Sequence, residues 1–93
     1  MQIELRFFAN FREAVGSKTV RREYDDGVTV GDVLRAIESE WPDLEGDILD
    51  DGGEIKPQLS VLKNGREVLH LDGPATPLDD GDTLSVFPPV AGG

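Results

Sequence analysis

The stretch TVGDVLRAIESEW, residues 29–41, is the part of this sequence that most clearly predicts a long helix. Thr29 is a suitable N-cap, and Asp32 stands three residues later in a capping-box-like position near the positive end of the helix dipole. Pro42 is expected to stop the helix, because proline has no N–H to continue the hydrogen-bond ladder. The apolar residues fall at i, i+3, i+4, i+7 and i+11 and form one stripe: Val30, Val33, Leu34, Ile37 and Trp41.

The residues before this helix have the period of β-strands. Ile3, Leu5 and Phe7 alternate with polar residues, which predicts a strand with one buried face. Residues 18–24 follow a turn at Gly16 and are interpreted as a weaker edge strand, because charged residues interrupt them.

The residues after the helix predict further strands. Residues 59–63 and 66–71 are expected to form a hairpin, because the intervening Asn64-Gly65 suits a type I′ turn with positive φ at both central residues. Residues 83–87 form the last predicted strand. Between the helix and these strands, residues 43–58 are irregular and acidic, and three apolar residues are expected to tether them to the core: Leu44, Ile48 and Leu49.

This order of elements predicts an α+β fold with one main helix packed across a mixed sheet of four to five strands. A first and last strand that pair in parallel at the sheet centre would make it a β-grasp. We expect one domain, residues 1–87, followed by a flexible C-terminal tail, residues 88–93.

Composition and charge exclude several classes of function. The chain has 93 residues and no cysteine, so disulfides, thiolate nucleophiles and zinc–cysteine sites are ruled out. Its net charge is −10, and residues 25–55 hold eleven acidic residues against one basic residue. Such a field disfavours nucleic acid and anionic membranes as partners. No stretch approaches the roughly 20 apolar residues of a membrane span, so a cytoplasmic location is expected.

Two polar features are interpreted as having no catalytic or metal-binding role. The one histidine, His70, is interpreted as a strand residue, since no spacing supports a catalytic triad. Residues 50–54 (DDGGE) offer oxygen ligands but lack a calcium-loop pattern, which favours a solvated turn and predicts no metal site.

The C-terminal residues 88–93, PPVAGG, predict a chemical role for the tail. Pro88-Pro89 ends strand pairing and should direct the following residues stiffly outward over at most about 20 Å. Gly92 and Gly93 leave the terminal carboxylate unobstructed by side chains, which suits its activation by a partner enzyme. The alternative is a frayed terminus that happens to end in glycine.

The tail and several internal motifs resemble the MoaD/ThiS-type ubiquitin-like proteins, in particular the archaeal small modifier proteins (SAMPs). The resemblance spans nearly the whole chain and is strongest at the C-terminus. It departs in the longer acidic segment 43–58, and the excess of acid points to a halophilic archaeon and the modifier branch. The matching motifs are Phe7-Phe8-Ala9, Phe11-Arg12-Glu13 with Gly16, Thr29-Val30-Gly31-Asp32 with Leu34, Val61 with Asn64-Gly65, Asp80-Gly81-Asp82, and residues 86–93, VFPPVAGG.

The resemblance implies a carrier that is not itself an enzyme. A ubiquitin-activating-type enzyme would adenylate Gly93 and join it to substrate lysines through isopeptide bonds. The alternative is a sulfur carrier with a C-terminal thiocarboxylate, acting as the small subunit of molybdopterin synthase beside its large subunit. A stand-alone β-grasp binding module is a second alternative. No cofactor is expected on this chain, because ATP and magnesium would belong to the activating enzyme.

The strand phases and the lysine content add two sets of candidate site residues. Period two directs Phe8, Leu62 and Phe87 away from the core, where they would form a partner-binding patch at the root of the tail. The candidate isopeptide acceptors are the only lysines: Lys18, Lys56 and Lys63.

Overall fold

A five-stranded mixed sheet with strand order β2-β1-β5-β3-β4 forms one layer of the computed structural model, which describes residues 1–89. β1 and β5 pair in parallel at the centre, and every other neighbouring pair is antiparallel. One long helix packs across this sheet, which confirms the predicted α+β architecture. The elements are β1 (Gln2–Phe7), α1 (Ala9–Val15), β2 (Thr19–Glu23), α2 (Val30–Glu40), β3 (Ser60–Lys63), β4 (Arg66–Glu67) and β5 (Thr83–Phe87).

The core lies between the sheet and α2, and both apolar faces predicted from the sequence are buried in it. On the sheet, the alternate residues of β1, β3 and β5 are fully buried; on the helix, so is the predicted stripe up to Ile37. Burying each large aliphatic side chain contributes about 1.5–3 kcal/mol, so these two faces supply most of the stability. Neither helix in residues 1–89 has the length and apolarity needed to span a bilayer.

The ends of α2 match their predicted chemistry. The Thr29 hydroxyl accepts from the Asp32 amide at 3.3 Å, and the Asp32 carboxylate accepts from the Thr29 amide at 3.0 Å, which completes a capping box. The helix ends at Glu40, and Pro42 begins a 3-10 turn over Pro42–Leu44. Trp41 is half-buried between them, with its ring 5.4 Å from that of Phe7 in an edge-to-face arrangement.

The acidic segment after α2 is tethered as predicted. Leu44, Ile48 and Leu49 are buried. The Glu38 carboxylate also accepts from the Ile48 amide at 2.9 Å and the Leu49 amide at 2.8 Å. This carboxylate anchors the start of the loop to the side of α2.

Helix α1 is an element that the sequence did not predict. The only buried residue of this short helix is Phe11. The helix begins at Ala9, whose φ is 53°, and ends at Gly16, whose φ is 88°. Because only about two turns form and one apolar residue is fully buried, no helical stripe stands out in the sequence. Gly16, interpreted as a simple turn, is the C-cap of this helix.

The second hairpin keeps its predicted turn but loses most of its second strand. Asn64 and Gly65 both have positive φ, 50° and 85°, as a type I′ turn requires. The predicted strand 66–71 is wrong beyond Glu67, where the chain enters a 3-10 turn over Val68–His70. This turn buries Val68 under the sheet and leaves Leu69 53% exposed, and it places His70 outside any strand.

Candidate functional site

The root of the tail lies at the end of the central strand β5. Pro88 is buried and Pro89 is exposed. Pro88 therefore packs on the domain, and the expectation that the two prolines direct the following residues outward stays a prediction. Gly92 and Gly93 lie outside the described residues, so their predicted role and the flexibility of the tail stay predictions.

A patch of apolar side chains stands beside this root on the open face of the sheet. Phe8 and Phe87 stack in parallel, with ring centroids 4.0 Å apart and an interplanar angle of 9°. Leu62 lines one groove together with Phe87 and Pro88. All three predicted patch residues are half-buried, because the two rings cover each other and the third lies in the groove wall. We call Phe8, Leu62 and Phe87 the sheet-face patch.

The strand register explains why these residues meet. β5 pairs with β3 so that Ser60 faces Phe87 and Leu62 faces Ser85, which makes Leu62 and Phe87 diagonal neighbours. β1 pairs with β5 so that Phe7 faces Val86, and the next residues along, Phe8 and Phe87, stack. The predicted phase of β5 is thus confirmed, with Val86 in the core.

Two cations, Arg6 and Lys18, lie next to the patch, and a third, Arg21, is linked to Arg6 through Glu4. No local pattern in the sequence indicated that these three residues form a group. Arg6 lies on the outward face of β1, two residues before Phe8, and the Lys18 ammonium lies 5.6 Å from the Phe8 ring centroid. Arg21 lies on β2 opposite Glu4. The sequence gives the alternation of each strand but not the pairing that brings the strands together. We call Arg6, Lys18 and Arg21 the cation rim.

One carboxylate connects two members of this rim. Glu4 accepts from Arg6 at 2.8 Å and from Arg21 at 3.4 Å. The hydrogen bond from Arg6, aided by the charges of both guanidiniums, holds the pKa of Glu4 below its usual value despite some desolvation. Glu4 therefore stays ionised between two arginines.

A network of polar groups fixes the start of β5. Asp82 accepts from the Asp79 amide at 2.8 Å and from the Asn64 side chain at 2.9 Å, and the Lys63 ammonium lies 3.6 Å away. Burial acts to raise the pKa of Asp82, but these donors together outweigh it and place the pKa below its usual value. The network joins the β3–β4 turn to the turn before β5.

The three lysines occupy different environments. Lys63 donates to the Pro77 carbonyl at 2.8 Å and its side chain is only 19% exposed. Lys56 is half-buried in a groove that Pro89 also lines. Lys18 is exposed. Their role as isopeptide acceptors stays a prediction, and the geometry favours Lys18 over Lys63 on access.

The polar loop at residues 50–54 has an internal structural role. The Asp50 carboxylate accepts from the Gly52 amide at 2.9 Å and from the Glu54 amide at 3.0 Å. Within residues 1–89 the structure contains no group of three or more side chains arranged to hold a metal ion. The Asp50 carboxylate serves as the organiser of this turn.

Comparison with known proteins places this site in a family context. The model of the ThiS family matches residues 5–93. Small archaeal modifier protein 3 of Haloferax volcanii is 63% identical over 93 residues, and the match covers 100% of both chains. Small archaeal modifier protein 1 of the same organism is 44% identical over 91 residues, which cover 98% of this chain and 100% of that one.

Solved structures agree with these sequence matches. The crystal structure of SAMP1 from Haloferax volcanii superposes on this chain with a TM-score of 0.86 and 38% identity, covering 100% of each chain. A crystal structure of the Amycolatopsis orientalis BexX/CysO complex gives a TM-score of 0.80 at 25% identity, covering 98% of this chain and 99% of that one. The predicted ubiquitin-like β-grasp fold is confirmed.

Proposed function

We propose that this chain, which belongs to the ThiS family, is a ubiquitin-like protein modifier that is activated at Gly93 and joined to lysines of other proteins. The full-length similarity to small archaeal modifier protein 3 supports the modifier branch. As a member of this family the chain is a carrier or modifier and not a catalyst.

The proposed chemistry has two steps. In the first, the Gly93 carboxylate attacks the α-phosphorus of ATP on a ubiquitin-activating-type enzyme, and pyrophosphate leaves. In the second, a deprotonated lysine amine attacks the acyl carbon, AMP leaves, and an isopeptide bond forms. ATP and magnesium belong to the activating enzyme. Glycine at both terminal positions keeps side chains away from the reacting carbonyl.

The sheet-face patch beside the tail root is the observation that carries this proposal. An activating enzyme must hold the domain while it draws the tail into its active site. Phe8 and Phe87 stack at the end of the strand from which the tail departs, and buried Pro88 fixes where it departs. Aromatic side chains in such a position are the usual anchors of protein interfaces.

A test of this function uses the purified chain, the ubiquitin-activating-type enzyme of the same organism and ATP. We expect pyrophosphate release with the full chain and none after deletion of Gly92-Gly93. The melting temperature of the truncated chain should match that of the full chain, which would assign the loss to chemistry and not to unfolding. Equal pyrophosphate release from the truncated chain would overturn the proposal.

Sulfur transfer is the second candidate function, because CysO of Mycobacterium bovis is named a sulfur carrier protein and is 29% identical over 80 residues. In this role sulfide would attack the acyl carbon of adenylated Gly93 and displace AMP, which gives a thiocarboxylate. The large subunit of molybdopterin synthase would then be a further partner.

Intact mass of the protein purified from its native cells separates the two functions. A mass increase equal to one sulfur replacing one oxygen would identify the thiocarboxylate. Branched peptides that join Gly93 to a lysine of another protein would identify conjugation. A chain with neither product would be a stand-alone binding module.

A further inference from the structure

We propose that the cation rim binds carboxylates on the activating enzyme and thereby orients the domain for activation. This inference rests on the proposed function, because it specifies the partner surface that would receive the sheet-face patch. The partner surface would be an apolar hollow with acidic side chains along the edge that meets β1 and β2.

The rim carries more positive charge than the structure neutralises. Arg6 and Arg21 share the single carboxylate of Glu4, and within residues 1–89 no other acidic group pairs with either of them. Their side chains are 49% and 67% exposed, so both guanidiniums retain donors toward solvent. The unused N–H groups of arginine form a fork that fits a carboxylate.

The position of this charge is unusual for the molecule. The chain carries 19 acidic and 9 basic residues, yet two of the basic ones lie beside the sheet-face patch and a third, Arg21, shares Glu4 with one of them. Lys18 lies against Phe8, and Arg6 on β1 precedes Phe8 by two residues.

The net charge of the chain limits what kind of anion the rim can bind. A long polyanion such as nucleic acid meets the field of the whole molecule, whose charge is −10. A carboxylate in contact with Arg6 or Arg21 meets mainly the local charge, because salt screens the rest beyond about one Debye length. Acidic side chains on a protein surface therefore fit this site and nucleic acid does not.

The β4 side of the patch carries negative charge, so the distribution of charge across the patch is asymmetric. Glu67 on β4 faces Leu62 across the β3–β4 pair, and it lies on the same face of the sheet as the patch. The cations thus flank the patch on the β1–β2 side and a carboxylate flanks it on the β4 side. A partner with the matching charges would bind in one orientation, with the tail directed toward its active site.

The experiment compares binding of four proteins to the activating enzyme of the same organism: wild type, Arg21→Glu, Arg66→Glu and Phe87→Ala. Arg66 is the matched control, because it is exposed and adjoins Glu67 on β4 but points to the other face of the sheet. Binding is measured by calorimetry at about 0.1 M and about 1 M KCl, where the Debye length is about 10 Å and about 3 Å. Circular dichroism checks folding, and Arg21→Gln replaces Arg21→Glu should the latter not fold.

We expect Arg21→Glu to weaken binding about tenfold at low salt and about two- to threefold at high salt, with Arg66→Glu close to wild type. Phe87→Ala should weaken binding at both salt concentrations, since apolar contacts are not screened. Equal losses of affinity for Arg21→Glu and Arg66→Glu, or no loss for either, would overturn the inference. Adenylation of the wild type in the same experiment would leave the proposed function intact. A wild type that is neither bound nor adenylated would overturn both.

Discussion

At the residue scale, Val86 and Phe87 are neighbours on β5 with different surroundings. Val86 is fully buried in the core, whereas Phe87 stacks on Phe8 at the surface. We expect Val86→Ala to lower the free energy of unfolding by about 1–3 kcal/mol, through lost burial and a residual cavity. Phe87→Ala removes an aromatic pair worth about 0.5–1.5 kcal/mol beyond the partial burial of the ring, and should mainly impair partner binding.

Urea denaturation of both variants, followed by fluorescence of Trp41, measures this contrast. Ser85→Ala is a suitable control, because Ser85 is half-buried on the outward face of β5 and carries no large apolar group. A larger stability loss for Phe87→Ala than for Val86→Ala would contradict the assignment of these side chains to core and surface.

Asp82 is a second residue whose environment predicts a measurable effect, here on pH dependence. Its pKa is lower in the folded protein than its ordinary value, so the ionised form stabilises the fold above about pH 4 and this contribution is lost as the pH falls through the folded pKa. Asp82→Asn should lower the free energy of unfolding at neutral pH by about 1.5–3 kcal/mol, the range for hydrogen bonds to a charged group. The variant should also lose less stability than wild type on acidification below about pH 4.

Urea midpoints measured from neutral to acidic pH test this expectation. Asp79→Asn is the control from the same turn, because Asp79 contributes its backbone amide to the network. Parallel pH profiles for wild type and Asp82→Asn would show that this carboxylate is not the group responsible.

At the element scale, the contact between α2 and the 3-10 turn Gly73–Ala75 depends on a glycine inside the helix. A Cβ placed on Gly31 would lie 3.0 Å from the Pro74 Cβ and 3.1 Å from its carbonyl oxygen. Alanine in a helix is favoured over glycine by about 1 kcal/mol, but overpacking costs about 1–3 kcal/mol. We expect Gly31→Ala to lower the melting temperature for this reason.

Ser39→Ala is the matched control for Gly31→Ala, since Ser39 is exposed on the same helix and alanine there gains only helix propensity. Thermal unfolding of both variants separates the close contact from the propensity. A melting temperature of Gly31→Ala equal to or above that of Ser39→Ala would show that the turn moves away at little cost.

The elements predicted correctly from the sequence are those with a strong local pattern. Helix α2 has a complete apolar stripe and a capping box, and the hairpin turn at Asn64-Gly65 demands a residue pair with positive φ. Helix α1 and the 3-10 turn at Val68–His70 lack such patterns. Each takes its conformation from tertiary packing, of Phe11 in the first case and of Val68 in the second.

The residues of the candidate site likewise divide into those with a local sequence pattern and those without one. Strand period alone placed Phe8, Leu62 and Phe87 on the outer face, because alternation is a local property. The cation rim could not be predicted, since it depends on Arg21 pairing opposite Glu4 across two strands. The burial of Pro88 depends likewise on the surrounding surface, which no local pattern in PPVAGG specifies.

At the scale of the whole molecule, the acidic charge is expected to determine how stability depends on salt. Eleven acidic residues lie in positions 25–55 against a single basic one. Raising the salt concentration from about 0.1 M to about 1 M shortens the Debye length from about 10 Å to about 3 Å and weakens their mutual repulsion. We expect the melting temperature to rise over that range of KCl concentration.

A variant with fewer charges distinguishes screening from other effects of salt. Asp43, Glu45 and Asp51 are exposed, so their replacement by the corresponding amides should leave the core intact. The triple variant should melt higher than wild type in dilute buffer and should gain less from KCl. Equal gains in the two proteins would attribute the salt effect to something other than acidic repulsion.

The burial of Pro88 also sets a length scale for any enzyme that uses the tail. Five residues, Pro89 to Gly93, follow this point in the sequence, and a fully extended chain of five residues spans no more than about 18 Å. Under the proposed activation at Gly93, the reacting phosphorus would lie within about that distance of Pro88 while the outer sheet face rests on the activating enzyme. The proposed function therefore implies an activating enzyme with a shallow channel, because a deeper channel would require the domain to detach before Gly93 reached its end.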